Sequence, residues 1–138
     1  MTAVVIDASA GAEIVAGTRR GRALAELLPG DAEGWVPEHF YAEVLAVLRR
    51  QSVITGKLTE AQARESVDRL IGWNLHRASV APLVAVAWGY RHNLTAADAL
   101  YVALAAELGA VLLTDDQRLA AAPTLPNDLR VLTIGAGR

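Results

Sequence analysis

No cysteine occurs in the 138 residues of the chain. That absence removes disulfides, thiolate metal sites and cysteine nucleophiles together, and it fits a reducing compartment. Long hydrophobic runs are also missing, since no uncharged apolar stretch approaches the roughly 20 residues that a membrane span needs. The start, Met1-Thr-Ala-Val-Val-Ile-Asp7, has neither the basic flank nor the apolar length of a secretory signal. The expectation is a cytoplasmic protein with no membrane attachment. An excess of one charge is lacking too: 13 Lys and Arg stand against 15 Asp and Glu, for a formal net charge of −2. This excludes a basic body that grips nucleic acid by bulk electrostatics. Any such binding has to be local or metal-assisted. Lys57 is the only lysine, so the cations are almost all arginine, the better bidentate phosphate ligand.

Apolar residues are plentiful, at 53% hydrophobic against 20% charged, which rules out a disordered chain. The length suits one domain over residues 1–138 with a single core. Apolar runs predict strands over 3–6, 34–37, 75–80, 110–114 and 131–134. Helical spacing predicts helices over 9–16, 22–28, 38–53, 83–90 and from Thr95 to about Leu108. Thr59-x-x-Gln62 and Thr95-x-x-Asp98 read as capping boxes, the first opening a helix that runs to about Gly72. Strands that are apolar throughout and separated by helices imply a short central parallel sheet covered on both faces. The fold class expected is therefore α/β, a helix-rich three-layer α/β/α arrangement. Ligands of such folds sit beyond the carboxyl ends of the strands.

Acids stand at those ends. Asp7 follows the first strand and Asp115-Asp116 follow the 110–114 strand, while Asp98 opens an unusually apolar helix. Glu43 lies three residues after Phe40 and four before Val47, inside the apolar stripe of its helix. A lone carboxylate there costs several kcal/mol unless it is protonated, paired or bound to metal. Each acid also has a structural reading: Asp7, Asp98 and Asp116 are all placed to cap helices. Glu43 has no such local role. Oxygen ligands without His or Cys partners select Mg²⁺ or Mn²⁺, and carboxylate clusters holding such ions are the hardware of phosphodiester hydrolysis.

Val4-Val-Ile-Asp7-Ala-Ser9, Glu43-Val-Leu45, Thr95-Ala-Ala-Asp98-Ala-Leu-Tyr-Val-Ala-Leu-Ala and Val111-Leu-Leu-Thr114-Asp-Asp116-Gln-Arg-Leu119, in that order, resemble a PIN-domain ribonuclease, and more narrowly a VapC-type toxin of a toxin–antitoxin pair. The resemblance implies a PIN-like fold and a Mg²⁺-dependent endoribonuclease, with Mn²⁺ able to substitute, that cleaves RNA by in-line attack of a metal-activated water. It places the metal and catalytic acids on Asp7, Glu43, Asp98 and Asp116, with Ser9, Thr114 and Asp115 in support. It also implies products with a 5′-phosphate and a 3′-hydroxyl, a homodimer, and a cognate antitoxin that covers the pocket. Ala46 stands where many members of the family carry Asn. The alternative is a catalytically weak PIN-like module that acts through a protein partner.

Among the remaining residues, His39 and Glu43 are spaced i, i+4 and could share an ion, although His39 reads more simply as a half-exposed first-turn residue. Arg19, Arg20 and Arg22 are expected between two helices and Arg49-Arg50 at a helix end, either as solvated surface or as a phosphate-contacting rim. Trp35, Trp73, Trp88, Tyr41, Tyr90 and Tyr101 read as core or dimer packing. A response-regulator receiver needs a lysine at a late strand end, and a haloacid-dehalogenase-type phosphatase needs Asp-x-Asp at the first strand; the chain has neither.

Overall fold

In the computed structural model, which describes residues 1–135, Val4, Val5 and Ile6 are fully buried at the middle of a sheet. The last three positions of the expected 1–138 domain lie outside the described residues. The strands are β1 (Thr2–Ile6), β2 (Ala32–Pro37), β3 (His76–Ala78), β4 (Val111–Leu113) and β5 (Val131–Leu132). All pair in parallel, in the order β3-β2-β1-β4-β5. Parallel pairing demands a crossover between successive strands, and the helices supply them: α1 (Ala8–Ala16), α2 (Arg19–Glu26), α3 (Phe40–Arg49), α4 (Glu60–Gly72), α5 (Val84–Trp88), α6 (Ala96–Leu108) and α7 (Gln117–Ala120). The expected three-layer α/β/α class, with a short parallel sheet and abundant helix, is the class observed. No described helix is long and apolar enough to cross a membrane.

Helices α1, α3 and α4 pack on one another, while α6 lies against β1, β2 and β4 with α5 beside it. Helix α6 buries Ala99, Tyr101, Val102, Ala103, Leu104 and Ala105, which explains why it is apolar on nearly every face. Two glycines set close approaches. A Cβ on Gly11 would stand 2.6 Å from the Phe40 ring, and one on Gly21 would stand 2.0 Å from the Glu13 carbonyl oxygen. Bare backbone at these positions seats α3 and α2 against α1, and through them Glu43 and Arg20.

Several boundaries differ from the sequence expectation. Helix α2 begins at Arg19, one turn before the expected Arg22, because the Thr18 hydroxyl caps it by accepting from the Gly21 N–H at 2.9 Å. Arg19, Arg20 and Arg22 are therefore on the helix and not between helices. The helix expected over 38–53 is α-helical only to Arg49 and continues as a π-helical turn, Arg50–Ile54. The helix expected over 83–90 is a 3₁₀ turn, Ala81–Leu83, followed by the short α5. Strands β3, β4 and β5 are each shorter than the apolar runs that predict them.

Candidate active site

Strand order decides where the site lies. From β1 the chain steps through β2 to β3 on one side and then returns to place β4 on the other. The reversal opens a crevice at the carboxyl ends of β1 and β4, where ligands of open α/β sheets bind. Asp7 leaves β1 there and Thr114-Asp115-Asp116 leave β4.

A cavity of about 260 Å³ opens at this point, lined by Asp7, Ser9, Glu43, Asp98 and Asp116 with Ala46, Arg50 and Tyr101 among their neighbours. The four acids singled out in the sequence thus share one cavity. Asp7 is 3% exposed. It caps α1 by accepting from the Ala10 N–H at 3.0 Å, and it also takes bonds from the Ser9 hydroxyl at 2.7 Å and from the Thr114 hydroxyl. Capping and site-lining are compatible here. The same two hydroxyls accept from the next loop, Ser9 Oγ from the Asp115 N–H and Thr114 Oγ1 from the Asp116 N–H, both at 2.9 Å. Ser9 and Thr114 therefore tie the β4–α7 loop to Asp7.

Asp115 and Asp116 part company. The Arg20 guanidinium grips Asp115 with two nitrogens, Nε at 2.8 and 2.9 Å from its two carboxylate oxygens and Nη2 at 2.8 Å. Asp115 is neutralised outside the cavity, while Asp116 lines it and caps α7 through Arg118 and Leu119 N–H groups. Helix-wall geometry completes the set. Glu43 is half-buried and not sealed inside an apolar stripe; its Oε1 accepts from the Tyr101 hydroxyl at 2.7 Å and stands 3.6 Å from His39 Nε2. At α6 Thr95 Oγ1 accepts from the Asp98 N–H at 3.2 Å. Only the Thr59–Gln62 pair forms the full reciprocal capping box.

Burial dominates the electrostatics. It lifts the Asp7 carboxyl from 3.8 to about 6 against the lowering effect of the Thr114, Ala10 and Ser9 bonds, with the charge of Asp98 a minor upward push. Burial also raises Asp98, opposed by the Thr95 hydroxyl beside its carboxyl and by Arg118, and assisted by the charges of Asp116 and Glu43. Tyr101 stays a phenol, held far above its ordinary value by burial and then by Glu43; it is a hydrogen-bond donor to that carboxylate at any working pH.

The donors facing the cavity are carboxylate oxygens and hydroxyls, the set that suits Mg²⁺ or Mn²⁺. Among the described residues no three His, Asp or Glu side chains close on one point as a ready-made metal cage. That openness fits Mg²⁺, which keeps several waters and binds through one or two carboxylates together with substrate phosphate oxygens. Asp7 and Asp98 have the most to gain from a cation, being the two whose charged forms burial disfavours. Ala46 lies in the cavity wall, so its departure from the resembled pattern replaces a polar amide with a methyl at the site itself.

Two residues escaped the sequence reading. Tyr101 looked like packing, and its position three residues after Asp98 on the same helix face was the available signal. Arg20 meets Asp115 across 95 residues, and nothing local announces it.

The match to the PIN domain family model covers residues 4–125. Ribonuclease VapC1 of Mycobacterium tuberculosis is 38% identical over 133 residues, which is 96% of this chain and 99% of that protein. Ribonuclease VapC3 of the same organism is 39% identical over 119 residues, 86% of each chain. The crystal structure of VapBC2 from Rickettsia felis, bound to a DNA fragment from its promoter, superimposes with a TM-score of 0.67 at 13% identity, over 97% of this chain and 100% of that one. At that identity it speaks for the fold alone.

Proposed function

Since the chain belongs to the PIN-domain family, we propose that it is a Mg²⁺-dependent endoribonuclease, the toxin of a toxin–antitoxin pair, and that Asp7, Glu43, Asp98 and Asp116 carry the reaction. The observation that supports this best is their meeting in one cavity at the crevice between β1 and β4, from four separate stretches of chain. The names of the relatives, ribonucleases VapC1 and VapC3, support the reaction class.

Asp7 and Asp98 hold the ion in this reading, with Asp116 and Glu43 completing its surroundings. Bound there, Mg²⁺ or Mn²⁺ supplies the positive charge that a polyanionic substrate requires and lowers the pKa of an attacking water. Ser9 and Thr114 keep Asp7 aimed and hold Asp116 in register with it. Tyr101 keeps one oxygen of Glu43 engaged, so the carboxylate presents a fixed edge to the cavity. A cytoplasmic location, an antitoxin that covers the cavity and pairing with a second copy belong to the same proposal. The exposed Val84, Val86 and Trp88 supply an apolar face for a protein contact.

The test is cleavage of RNA by the purified chain with Mg²⁺, with Mn²⁺ and with chelator. Asp98→Asn should lose about a thousandfold in rate, the value of several kcal/mol of charge stabilisation. Fragments should carry a 5′-phosphate. Equal cleavage by wild type and Asp98→Asn, or cleavage that survives chelation, would overturn the assignment.

A further inference from the structure

Asp98 and Asp116 stand where two cavities meet. One is the acid cavity; the other, of about 200 Å³, is lined by Asn93, Thr95, Arg118 and Leu119 as well as by these two acids. Each cavity holds one arginine, Arg50 in the first and Arg118 in the second. Both side chains are exposed, and the positive charge of Arg118 is felt at Asp98. Arg20 contributes differently, being engaged with Asp115.

A chain of net charge −2 with four acids gathered at one crevice repels a polyanion there except where cations are placed. An ion on the acids neutralises one phosphate only. The phosphates before and after it need partners of their own, and guanidinium is the group best suited to them. We propose that a single RNA strand runs through both cavities, with the scissile phosphate over Asp98 and Asp116 and flanking phosphates on Arg50 and Arg118. The proposal rests on the ribonuclease reading and adds the path of the substrate. Single strands suit a recessed site of this kind, since an unpaired backbone bends into it and a duplex does not. The π-helical turn that begins at Arg50 contributes to the path: such turns are rare and concentrate at functional sites, and here one carries the cation facing the acids.

The competing role for both arginines is structural. Arg50 sits at the carboxyl end of α3, where a cation offsets the helix dipole, and Arg118 offsets the charge of Asp98. Salt separates the two roles, because releasing counterions from RNA requires contact with its phosphates. The probe is a fluorophore–quencher pool of single-stranded RNA of random sequence, cleaved with Mn²⁺ over a range of KCl concentrations. Arg50→Ala and Arg118→Ala should each raise KM about fivefold, with the larger part of the loss in KM and not in kcat. Each should also flatten the log–log salt dependence of kcat/KM by about 0.7, the single-strand value for one phosphate. The double variant should lose about twice that. Arg50→Lys and Arg118→Lys should keep the wild-type slope, which sets charge apart from folding. A wild-type KM and slope in either alanine variant, with the wild type active, overturns the path and leaves the ribonuclease reading standing. A wild type that leaves the random pool intact overturns both.

Discussion

Asp7 and Glu43 face the same cavity from different walls, one at the end of the sheet and one on a helix. Asp7 is 3% exposed and accepts from a backbone N–H and two hydroxyls. Glu43 keeps a side chain 36% exposed and accepts from one phenol. The strand wall is rigid and costly, since burial resists the charge on Asp7; the helix wall is cheaper and rests on fewer contacts. A site built this way has a fixed reference point and an adjustable one. It also relocates the energetic cost that clustered acids suggest: for Asp7 burial comes first, and repulsion from Asp98 is a minor part.

The largest stability effect should therefore come from the strand wall. Asp7 has a carboxyl at about 6 in the folded protein against 3.8 unfolded. The folded state thus binds this proton more tightly, its contribution is present in full below pH 4, and it is lost as pH rises through 6. Metal-free protein should lose about 3 kcal/mol of stability over that window, and Asp7→Asn, which does not titrate, should not. Denaturant melts at both pH values in chelator check this, and parallel curves for the two proteins would break the contrast between the walls. Added Mn²⁺ should restore part of the wild-type loss by binding the folded state.

A smaller effect is expected on the helix wall. Tyr101→Phe removes the only hydroxyl donor to Glu43 among the described residues. Losing a hydrogen bond to a charged group should cost about tenfold in kcat/KM with little change in Tm. Full activity in this variant would mean that Glu43 needs no positioning. Smallest should be Arg20→Ala. It frees Asp115 and loosens the β4–α7 loop, lowering Tm by about 4 °C as expected for about 1 kcal/mol. A loss of activity larger than that of Tyr101→Phe would show that the strand wall depends on this pair more than on its hydroxyls.

Much of this was legible in the sequence because it is local. The run Val4 to Ile6 announces a buried strand, Asp7 a strand end, and Thr59-x-x-Gln62 a helix start that the structure reproduces bond for bond. Asp7, Asp98 and Asp116 were found by their placement at element ends, and Glu43 by its place among the apolar positions of its helix. What stayed hidden depends on distance or on competition between neighbours. The ion pair of Arg20 with Asp115 spans 95 residues. The early start of α2 turned on Thr18, whose capping hydroxyl was masked by the arginines that follow. The apolar pattern over 38–53 did not distinguish an α-helix from one that loosens into a π turn at Arg50. Tyr101 was visible only as bulk, since a pattern of apolar positions does not show which way a hydroxyl points.

The position of β1 between β2 and β4 also sets a timetable. Residues 2–6 leave the ribosome long before their neighbour β4, residues 111–113. At about 5–20 residues per second, Asp7 waits roughly 5–20 s for Thr114 and Asp116 to arrive. The cavity lined by Asp7 and Asp116 is therefore incomplete until β4 has been made and has paired with β1.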